Sequence, residues 1–314
     1  MTAFTAYLKE VGRGKAGARD LTRDQAGAAM SELLAGHVAP LACGAFAAAM
    51  RIKGESADEL AGFLDAVQAG LAPLPQAAGM VALPSYNGAR KLPCLTPLLA
   101  ALLAREGIPV LVHGTPAGAD RVTSFAVAAA LGWPVCTDAA AVAAAWANRM
   151  PAWMPIAALH PGLAQMLAWR EVIGLRNSAH IVVKLLAPQP GALRVVNHTH
   201  PEYALSTAAY LQLAGAHAMV LRGTEGEPVA DARRQPQLRA FLAGQPRDDL
   251  EVPAQTGSLA ALPEGLAACD AAHTAATTAA MLDGHLSVPA PIARQVQALQ
   301  ALRAAALQLG PALQ

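Results

Sequence analysis

The sequence predicts an α/β protein in which a small all-helical domain is hinged to a large α/β domain with a mainly parallel central sheet. Three observations support this fold class. Residues 20–70 carry helix start and stop signals without strand-like runs. From about residue 79, short apolar runs alternate with helical stretches, as in βαβ units. Residues 161–186 then read as a helical insertion, and we expect it to pack beside the N-terminal helices.

The N-terminal region contains signals for three consecutive helices after a short amphipathic one. Thr22 with Gln25, and Ser56 with Glu59, have the spacing of a capping box. Pro40 is suited to the first turn of the helix between them. A glycine follows each of the three segments and predicts its end, at Gly36, Gly54 and Gly70.

The remaining chain is divided by short apolar runs that predict strands at residues 80–83, 109–112, 193–197 and 218–221. Thr96 and Pro97 predict a helix N-cap and first turn, and His200–Pro201 a second helix start. Two more helices are expected within residues 270–309. The predicted domains are therefore residues 1–72, joined by helices from 160–187, and a larger domain formed by 73–159 and 188–314.

Composition excludes several classes of protein. The chain has 314 residues, of which 54% are hydrophobic, but no apolar run approaches the roughly 20 residues that span a bilayer. Residues 1–10 lack an apolar export segment, so we expect a cytoplasmic protein without membrane contact. The four cysteines have no metal-ligand spacing. A net charge of +1 means that any nucleic-acid binding would depend on local clusters of basic residues.

The loop at residues 84–91 follows the first predicted strand, at the sheet edge where α/β proteins bind ligands. Asn87 and Gly88 permit a turn with positive φ, and Arg90 and Lys91 could meet an anion. An ordinary loop with two solvated cations is the alternative. We favour a phosphate-binding loop that includes Ser85, Asn87, Gly88, Arg90 and Lys91.

A second candidate loop, residues 112–124, follows the next strand and leads into a helix. Its glycines and hydroxyl groups suit an oxyanion held by backbone amides at a helix N-terminus. A histidine there is also a common structural hydrogen-bonding group. The candidate ligand-binding residues are His113, Gly114, Arg121 and Ser124.

Two further groups of charged residues leave alternatives open. Arg176, with Arg170 nearby, lies on the inserted helical stretch, where it could contact a ligand or form ion pairs between helices. Glu225 and Glu227 lie on a short loop and could hold Mg²⁺ bound to a diphosphate. They could equally be solvated, paired with arginines at 222, 233 or 234.

Six segments together make the chain resemble the anthranilate phosphoribosyltransferase-like proteins of glycosyltransferase family 3. The resemblance is strongest to a divergent TrpD-like branch typified by the YbiB DNA-binding proteins. The segments are PSYNGARK (84–91), LTPLLA (95–100), PVLVHG (109–114), GLRNSAH (174–180), THPEYA (199–204) and LRGTEGEPVADARRQP (221–236). The resemblance implies a nucleoside phosphorylase/phosphoribosyltransferase-type fold, a homodimer joined through the helical domains, and a cleft that holds phosphoribosyl diphosphate in catalytic members.

The sequence departs from the catalytic members at the phosphate-binding segments. Of their Gly-Thr-Gly-Gly-Asp loop, which should fall at about residues 83–88, only Gly88 remains. We expect the side chains at 84–86 to keep a diphosphate away from the backbone. The family's Lys-His-Gly-Asn segment is reduced to His113-Gly114. The resemblance places the hinge arginine at Arg170 and the acidic metal pair at Glu225 and Glu227.

The sequence therefore favours non-specific binding of DNA, RNA or another phosphorylated ligand over synthesis of phosphoribosyl anthranilate. The alternatives are a family 3 glycosyl- or phosphoribosyltransferase with another acceptor, or a scaffold with a vestigial cleft. No cofactor is required, and Mg²⁺ is expected only with a diphosphate ligand. The basic residues that could contact nucleic acid are Arg51, Lys53, Arg90, Lys91, Arg121, Arg176, Lys184, Arg233 and Arg234.

Overall fold

The computed structural model describes residues 3–14, 16–116, 118, 120–198, 202–259 and 261–309. Its N-terminal part is helical, as predicted. Thr22 and Ser56 accept hydrogen bonds from the amides three residues later, and both predicted capping boxes are present. The helices are α1 (Ala3–Val11), α2 (Arg23–Leu34), α3 (Pro40–Lys53) and α4 (Ala57–Ala69).

The central sheet has seven strands in the order β3-β2-β1-β4-β5-β6-β7. The pairs from β3 to β5 are parallel, whereas β6 and β7 are added antiparallel. The predicted mainly parallel sheet is confirmed, although three strands (β3, β6 and β7) were not predicted. The strands are β1 (Val81–Ser85), β2 (Val110–Gly114), β3 (Ala152–Pro155), β4 (Leu193–His198), β5 (Ala218–Arg222), β6 (Leu238–Leu242) and β7 (Gln245–Pro246).

Helices connect and cover the strands. The predicted insertion is two helices, which pack against the N-terminal helices α2 and α4. The predicted helix start at His200–Pro201 lies outside the described residues. The helices after β1 are α5 (Thr96–Arg105), α6 (Ser124–Ala130), α7 (Ala139–Ala147), α8 (Ile156–Leu159), α9 (Pro161–Ile173), α10 (Ala179–Leu185), α11 (Glu202–Leu213), α12 (Ala271–Leu282) and α13 (Ala290–Gln308).

The prediction that Thr96 is the N-cap of α5 is wrong. Leu95 occupies that position without a side-chain cap, and Thr96 is the first helical residue. The Thr96 hydroxyl instead donates to Glu227, which is 131 residues away in sequence. A distant carboxylate has therefore replaced the local capping interaction that the Thr-Pro pair indicates.

The two faces of the sheet are buried in different hydrophobic clusters. Along β1, Val81 and Leu83 belong to one cluster and Ala82 to the other, as the alternation of side chains along a strand requires. The cluster around Ala82 also contains Phe46 and Phe63 from the N-terminal helices. The helical region and the sheet therefore share a continuous core. Within the described residues, no helix is long and apolar enough to cross a membrane.

Candidate functional site

The loops after β1 and β5 meet at the carboxyl edge of the sheet. β4 lies between these two strands and all three are parallel, so their following loops emerge on the same side. Gly114, at the end of β2, comes close to the same place: a Cβ atom there would lie 1.8 Å from the Ser85 carbonyl oxygen. Only glycine fits this approach.

The Glu227 carboxylate fills the loop after β1. One of its oxygens accepts hydrogen bonds from the amides of Asn87 (3.1 Å) and Gly88 (2.8 Å). The other accepts from the hydroxyl of Thr96 at 3.0 Å and from the hydroxyl of Ser85. Glu227 is only 1% exposed. The loop does present converging amides to an anion, and the anion is a side chain of the same protein.

This arrangement differs from the expectation that the side chains at 84–86 keep a diphosphate away from the backbone. The side chains at 84–86 do not remove the amide donors of Asn87 and Gly88. Those donors are instead already bound to Glu227. Ser124, a predicted phosphate ligand, is buried in the same network, with its hydroxyl 2.5 Å from that of Ser85. Burial raises the pKa of Glu227, and hydrogen bonds from these donors offset part of the rise.

Glu225 binds the next stretch of the same loop. One of its carboxylate oxygens accepts from the amides of Lys91 (2.7 Å) and Leu92 (2.8 Å), and the other from the amide of Arg90 (3.0 Å). The Arg121 guanidinium lies 3.6 Å from the second oxygen. The predicted anion-binding residues Arg90, Lys91 and Arg121 are therefore gathered around an internal carboxylate.

Glu225 and Glu227 do not fit the predicted magnesium site. Mg²⁺ needs oxygen lone pairs at about 2.0–2.1 Å in octahedral geometry. All four carboxylate oxygens already accept hydrogen bonds from protein donors. In the part of the chain that the structure describes, no group of three or more His, Cys, Asp and Glu side chains converges as metal ligands would.

A polar pocket of about 150 Å³ lies between the helical region and the sheet, and is called the cleft pocket below. Arg176 lines it, whereas the expected hinge arginine, Arg170, is exposed on α9 and is not among the lining residues. The cleft arginine is thus Arg176. The pocket is lined by Arg51, Gly54, Glu55, Tyr86, Arg176, Asn177, His180, Ile181, Lys184, Asn197 and Thr207.

The cleft pocket combines cationic groups with a buried amide. Burial, reinforced by nearby Arg176, lowers the pKa of Lys184 to about 8, and its ammonium donates to the Asn197 carbonyl at 3.3 Å. The Asn197 side chain is 2% exposed, and neither of its amide atoms has a hydrogen-bond partner within the described residues. Arg176 donates to the side-chain oxygen of Asn87. A ligand with an anionic group and an adjoining donor or acceptor would satisfy this pocket.

Burial changes the pKa of two other groups in the cleft pocket. Desolvation, followed by the charge of Arg176, lowers the pKa of His180 to about 3. Its ring packs edge-to-face on Tyr86, with ring centroids 5.9 Å apart. Burial also raises the pKa of Glu55, whose carboxyl accepts from the Ser178 hydroxyl at 2.7 Å. Arg51, Arg176 and Lys184 supply the basic side chains of the pocket.

His113 is placed away from the cleft pocket. It lies on β2, is 0% exposed, and neither ring nitrogen has a hydrogen-bond partner in the described structure. Burial lowers the pKa of His113 to about 4, so the ring is neutral at physiological pH. The expected structural hydrogen bond therefore has no partner among the described residues, and the buried ring does not line the cleft pocket.

The nine basic residues proposed from the sequence divide into groups. Arg51, Arg176 and Lys184 converge in the cleft pocket. Lys53 instead forms a buried ion pair with Glu59 (2.7 Å) and a second ion pair with the exposed Asp20 (2.6 Å). Arg90 forms an ion pair with Asp120, and Arg233 forms one with Asp231.

Sequence reasoning missed three contributors, Tyr86, Thr96 and Asn197, as functional groups. Asn197 had a usable signal, because it lies near the carboxyl end of a predicted parallel strand.

Comparison with known proteins gives consistent matches. The glycosyl transferase family helical bundle domain matches residues 5–69. The chain is 40% identical over 240 residues to the uncharacterized protein YbiB of Escherichia coli K12, covering 75% of each chain. It is 28% identical over 290 residues to the anthranilate phosphoribosyltransferase of Methylobacterium nodulans, covering 90% of this chain and 84% of the relative.

Solved structures show the same fold. Anthranilate phosphoribosyltransferase (TrpD) from Thermus thermophilus aligns over 100% of this chain and 91% of its own, with a TM-score of 0.71 and 22% identity. The enzyme from Saccharomyces cerevisiae in complex with PRPP and Mg aligns over 97% of this chain and 95% of its own, with a TM-score of 0.62 and 13% identity.

Proposed function

Because the chain belongs to the anthranilate phosphoribosyltransferase-like proteins of glycosyltransferase family 3, we propose that it uses the cleft of that fold to bind phosphate groups. The ligand proposed here is the backbone of a nucleic acid, bound without sequence preference. The loop after β1 does not hold a diphosphate in this proposal. One observation carries it: the Asn87 and Gly88 amides already bind the buried carboxylate of Glu227.

Electrostatics supports the loss of diphosphate binding at that loop. A diphosphate would have to replace the Glu227 carboxylate at its four donors. Hydrogen bonds to a charged group contribute about 1.5–3 kcal/mol each. If the carboxylate stayed, the diphosphate would meet a like charge inside a site with little water to screen it. Either route opposes tight binding of phosphoribosyl diphosphate there.

The cationic cleft supports the phosphate-binding role. Arg51, Arg176 and Lys184 line one pocket, and their charges can contact phosphodiester oxygens. Such contacts fix the position of a nucleic acid without reading its sequence. The whole chain carries a net charge of only +1, so binding must depend on this local concentration of charge.

A family 3 transferase with an unidentified acceptor is the second candidate. It is favoured by the buried side-chain amide of Asn197, which could orient a small ligand in the cleft pocket beside Arg176 and Lys184. The relatives named anthranilate phosphoribosyltransferase also match most of the chain. In this case Mg²⁺ would arrive with a diphosphate ligand, and residues other than Glu225 and Glu227 would have to accommodate it.

We also propose that a second copy of the chain covers an apolar groove on the helical region. The groove, of about 340 Å³, includes side chains from α3 and α9. Val172 lines the groove and is 87% exposed, and Leu41, which follows the lining residue Pro40 in sequence, is 88% exposed. Paired copies would bury these side chains and place two cationic clefts in one assembly. This matches the dimerisation through helical domains that the family resemblance implies.

The decisive experiment is a salt titration of oligonucleotide binding, followed by fluorescence anisotropy. Between about 50 and 200 mM salt, log affinity should fall linearly with log salt, with a slope of about −0.7 for each phosphate contact on a single strand. Replacing both Arg176 and Lys184 by alanine should reduce that slope by about 1.4 for every sequence tested. The Arg247→Ala variant, which changes a partly exposed arginine outside the cleft pocket, is the matched control.

Two results would reject the nucleic-acid proposal: no binding at low salt, or an affinity that does not change with salt. Calorimetry with phosphoribosyl diphosphate and Mg²⁺ separates the two candidates. Heat of binding at millimolar ligand or below would favour the transferase, whereas its absence would exclude a transferase that uses this donor.

A further inference from the structure

Two lysines, Lys53 and Lys184, are half-buried, and their amines have contrasting partners. Lys53 forms ion pairs with Glu59 at 2.7 Å and with Asp20 at 2.6 Å. Lys184 lines the cleft pocket from α10, and its amine donates to the Asn197 carbonyl at 3.3 Å. No carboxylate of a described residue lies within 4.0 Å of the Lys184 amine. A half-buried ammonium group without a counter-ion is poorly stabilised, so this environment favours the neutral amine.

The charged groups that face Lys184 reinforce this preference. Burial, followed by the charge of Arg176, lowers the pKa of Lys184 to about 8, and the charge of Glu227 opposes this change. The Glu227 carboxylate is held by the loop after β1. His180 lies one turn earlier on α10, and its pKa of about 3 leaves the ring uncharged near neutral pH. A lysine that is desolvated, or that lies beside another cation, acts as a nucleophile towards carbonyl groups.

The rest of the cleft pocket indicates which carbonyl compound would fit. The volume of about 150 Å³ suits a small ligand. Arg51 and Arg176 contribute positive charge, which favours an anionic group such as a phosphate. The side-chain amide of Asn197 is buried and has no hydrogen-bond partner within the described residues, so it could bind a hydroxyl or carbonyl oxygen. A short aldehyde that carries a phosphate group matches these features.

We propose that Lys184 is a nucleophile that forms an imine with a short phosphorylated aldehyde bound in the cleft pocket. This inference rests on the phosphate-binding role proposed for the pocket and adds a covalent step to it. The neutral amine attacks the aldehyde carbon, and the carbonyl oxygen takes up a proton, which gives a carbinolamine. The nitrogen then loses a proton and the hydroxyl group leaves with a proton as water, so that a C=N bond forms. The amine and the aldehyde thus give an imine and water, without an oxidant or a reductant.

Such an aldehyde has two sources. One is a free sugar phosphate in its open-chain form. The other is a nucleic acid at a position that has lost its base, because the sugar there opens to an aldehyde between two backbone phosphates. Both present a carbonyl carbon close to a phosphate group, and the experiment distinguishes them.

The test treats the full chain with glyceraldehyde 3-phosphate and cyanoborohydride, which reduces an imine to a stable secondary amine. Peptide mass mapping then locates the modified lysines. At about pH 7.5, Lys184 should be modified at least about tenfold faster than the exposed Lys9 or the ion-paired Lys53, because more of its amine is neutral.

A matched aldehyde tests the contribution of the phosphate group. Glyceraldehyde has the same carbonyl group without the phosphate and should modify Lys184 at least about tenfold more slowly, because it lacks charge-assisted hydrogen bonds to the arginines. The amino group at the N-terminus also titrates near neutral pH and should react similarly with both aldehydes. In parallel, an oligonucleotide with one abasic position should be crosslinked to Lys184 if the ligand is a nucleic acid, whereas the intact oligonucleotide should not.

Variants assign the product to the amine of Lys184. Lys184→Arg keeps the positive charge but cannot form this imine, so the modification in the cleft should be lost. Lys9→Arg, which changes a lysine on α1 outside the cleft pocket, should leave it unchanged. The measurement on the unmodified chain decides the proposal even if a variant does not fold.

The proposal is overturned if both phosphorylated aldehydes modify Lys184 no faster than they modify Lys9. Salt-dependent oligonucleotide binding in the same preparation would then leave the nucleic-acid proposal standing. Conversely, selective modification of Lys184 by glyceraldehyde 3-phosphate, without any oligonucleotide binding, would support the imine and reject nucleic acid as the ligand of the cleft.

Discussion

The Glu227 carboxylate accepts a hydrogen bond from the Gly88 amide at 2.8 Å, and thereby joins two residues that are 139 positions apart. This contact fastens the loop after β5 to the loop after β1. The position where catalytic relatives are expected to hold a diphosphate is therefore part of the folded interior of this protein. The acid acts as a structural group, and its removal should affect stability before it affects any ligand.

Replacing Glu227 by alanine should lower the free energy of unfolding by about 3–5 kcal/mol, because it leaves several buried donors without an acceptor. Urea denaturation measures the change. The matched control, Glu264→Ala, alters an exposed glutamate and should stay within about 0.5 kcal/mol of the unmodified chain. A loss below about 1 kcal/mol for Glu227→Ala would show that the network is not stabilising.

Binding of an oligonucleotide in the cleft should weaken as the pH rises from about 7 to about 9. Burial lowers the pKa of Lys184 to about 8, so its charge is lost within this range. Anisotropy titrations at fixed ionic strength measure the effect. Lys184→Arg keeps its charge throughout and should remove most of the dependence. If the arginine variant shows the same decline, another group is responsible.

The lowered pKa of Lys184 also affects the stability of the folded chain. Its pKa is lower in the folded chain than its ordinary value, so the unfolded chain binds the proton more tightly. Burial of the charged amine therefore costs stability at neutral pH, and this cost declines as the pH rises above about 8. Urea denaturation should show this rise in the unmodified chain and not in Lys184→Met.

Replacing His113 by leucine should leave the stability unchanged or raise it by up to about 2 kcal/mol, because a buried polar ring without partners is replaced by an apolar side chain. The lowered pKa of His113, about 4, adds a pH effect. The stability that depends on a neutral His113 is fully present above the ordinary pKa of 6.5. It is lost as the pH falls towards about 4, because the unfolded chain binds the proton more tightly. Thermal denaturation of His113→Leu should be less sensitive to acid over that interval. A loss of more than about 2 kcal/mol at neutral pH would indicate a hidden partner.

Val172→Glu should convert a dimer into a monomer, because it places a charge in the apolar groove. Light scattering coupled to size-exclusion chromatography measures the mass. Leu213→Glu is a suitable control, since Leu213 is also exposed, at 48%, but lies on α11 and not in the groove. A monomeric unmodified chain, or a dimeric Val172→Glu variant, would contradict this interface.

Local signals predicted the framework better than the site. The capping boxes at Thr22 and Ser56 depend on residues three positions away, and both formed as predicted. Thr96 carries a similar local signal, yet its hydroxyl is directed to Glu227. β3 follows an alanine-rich helix and is only four residues long, so little periodicity was available to reveal it. β6 is antiparallel and lies outside the βαβ pattern that was used for prediction.

The candidate residues were found because strand ends are visible in sequence, but their roles depended on contacts across the fold. Nothing near Ser85 indicates that it faces a glutamate 142 positions away. Likewise, Arg170 and Arg176 lie on neighbouring parts of one insertion, and the turn between α9 and α10 determines which one lines the pocket.

The side chain of Asn87 accepts from Arg176 in the cleft and donates to the backbone carbonyl of Glu225. One amide therefore links the cleft pocket to the segment that carries Glu225. A ligand that draws Arg176 away would loosen that segment, and release of the segment would free Arg176 in turn. Thermodynamic linkage makes such an effect reciprocal, and substituting Asn87 would uncouple ligand binding from the order of the segment.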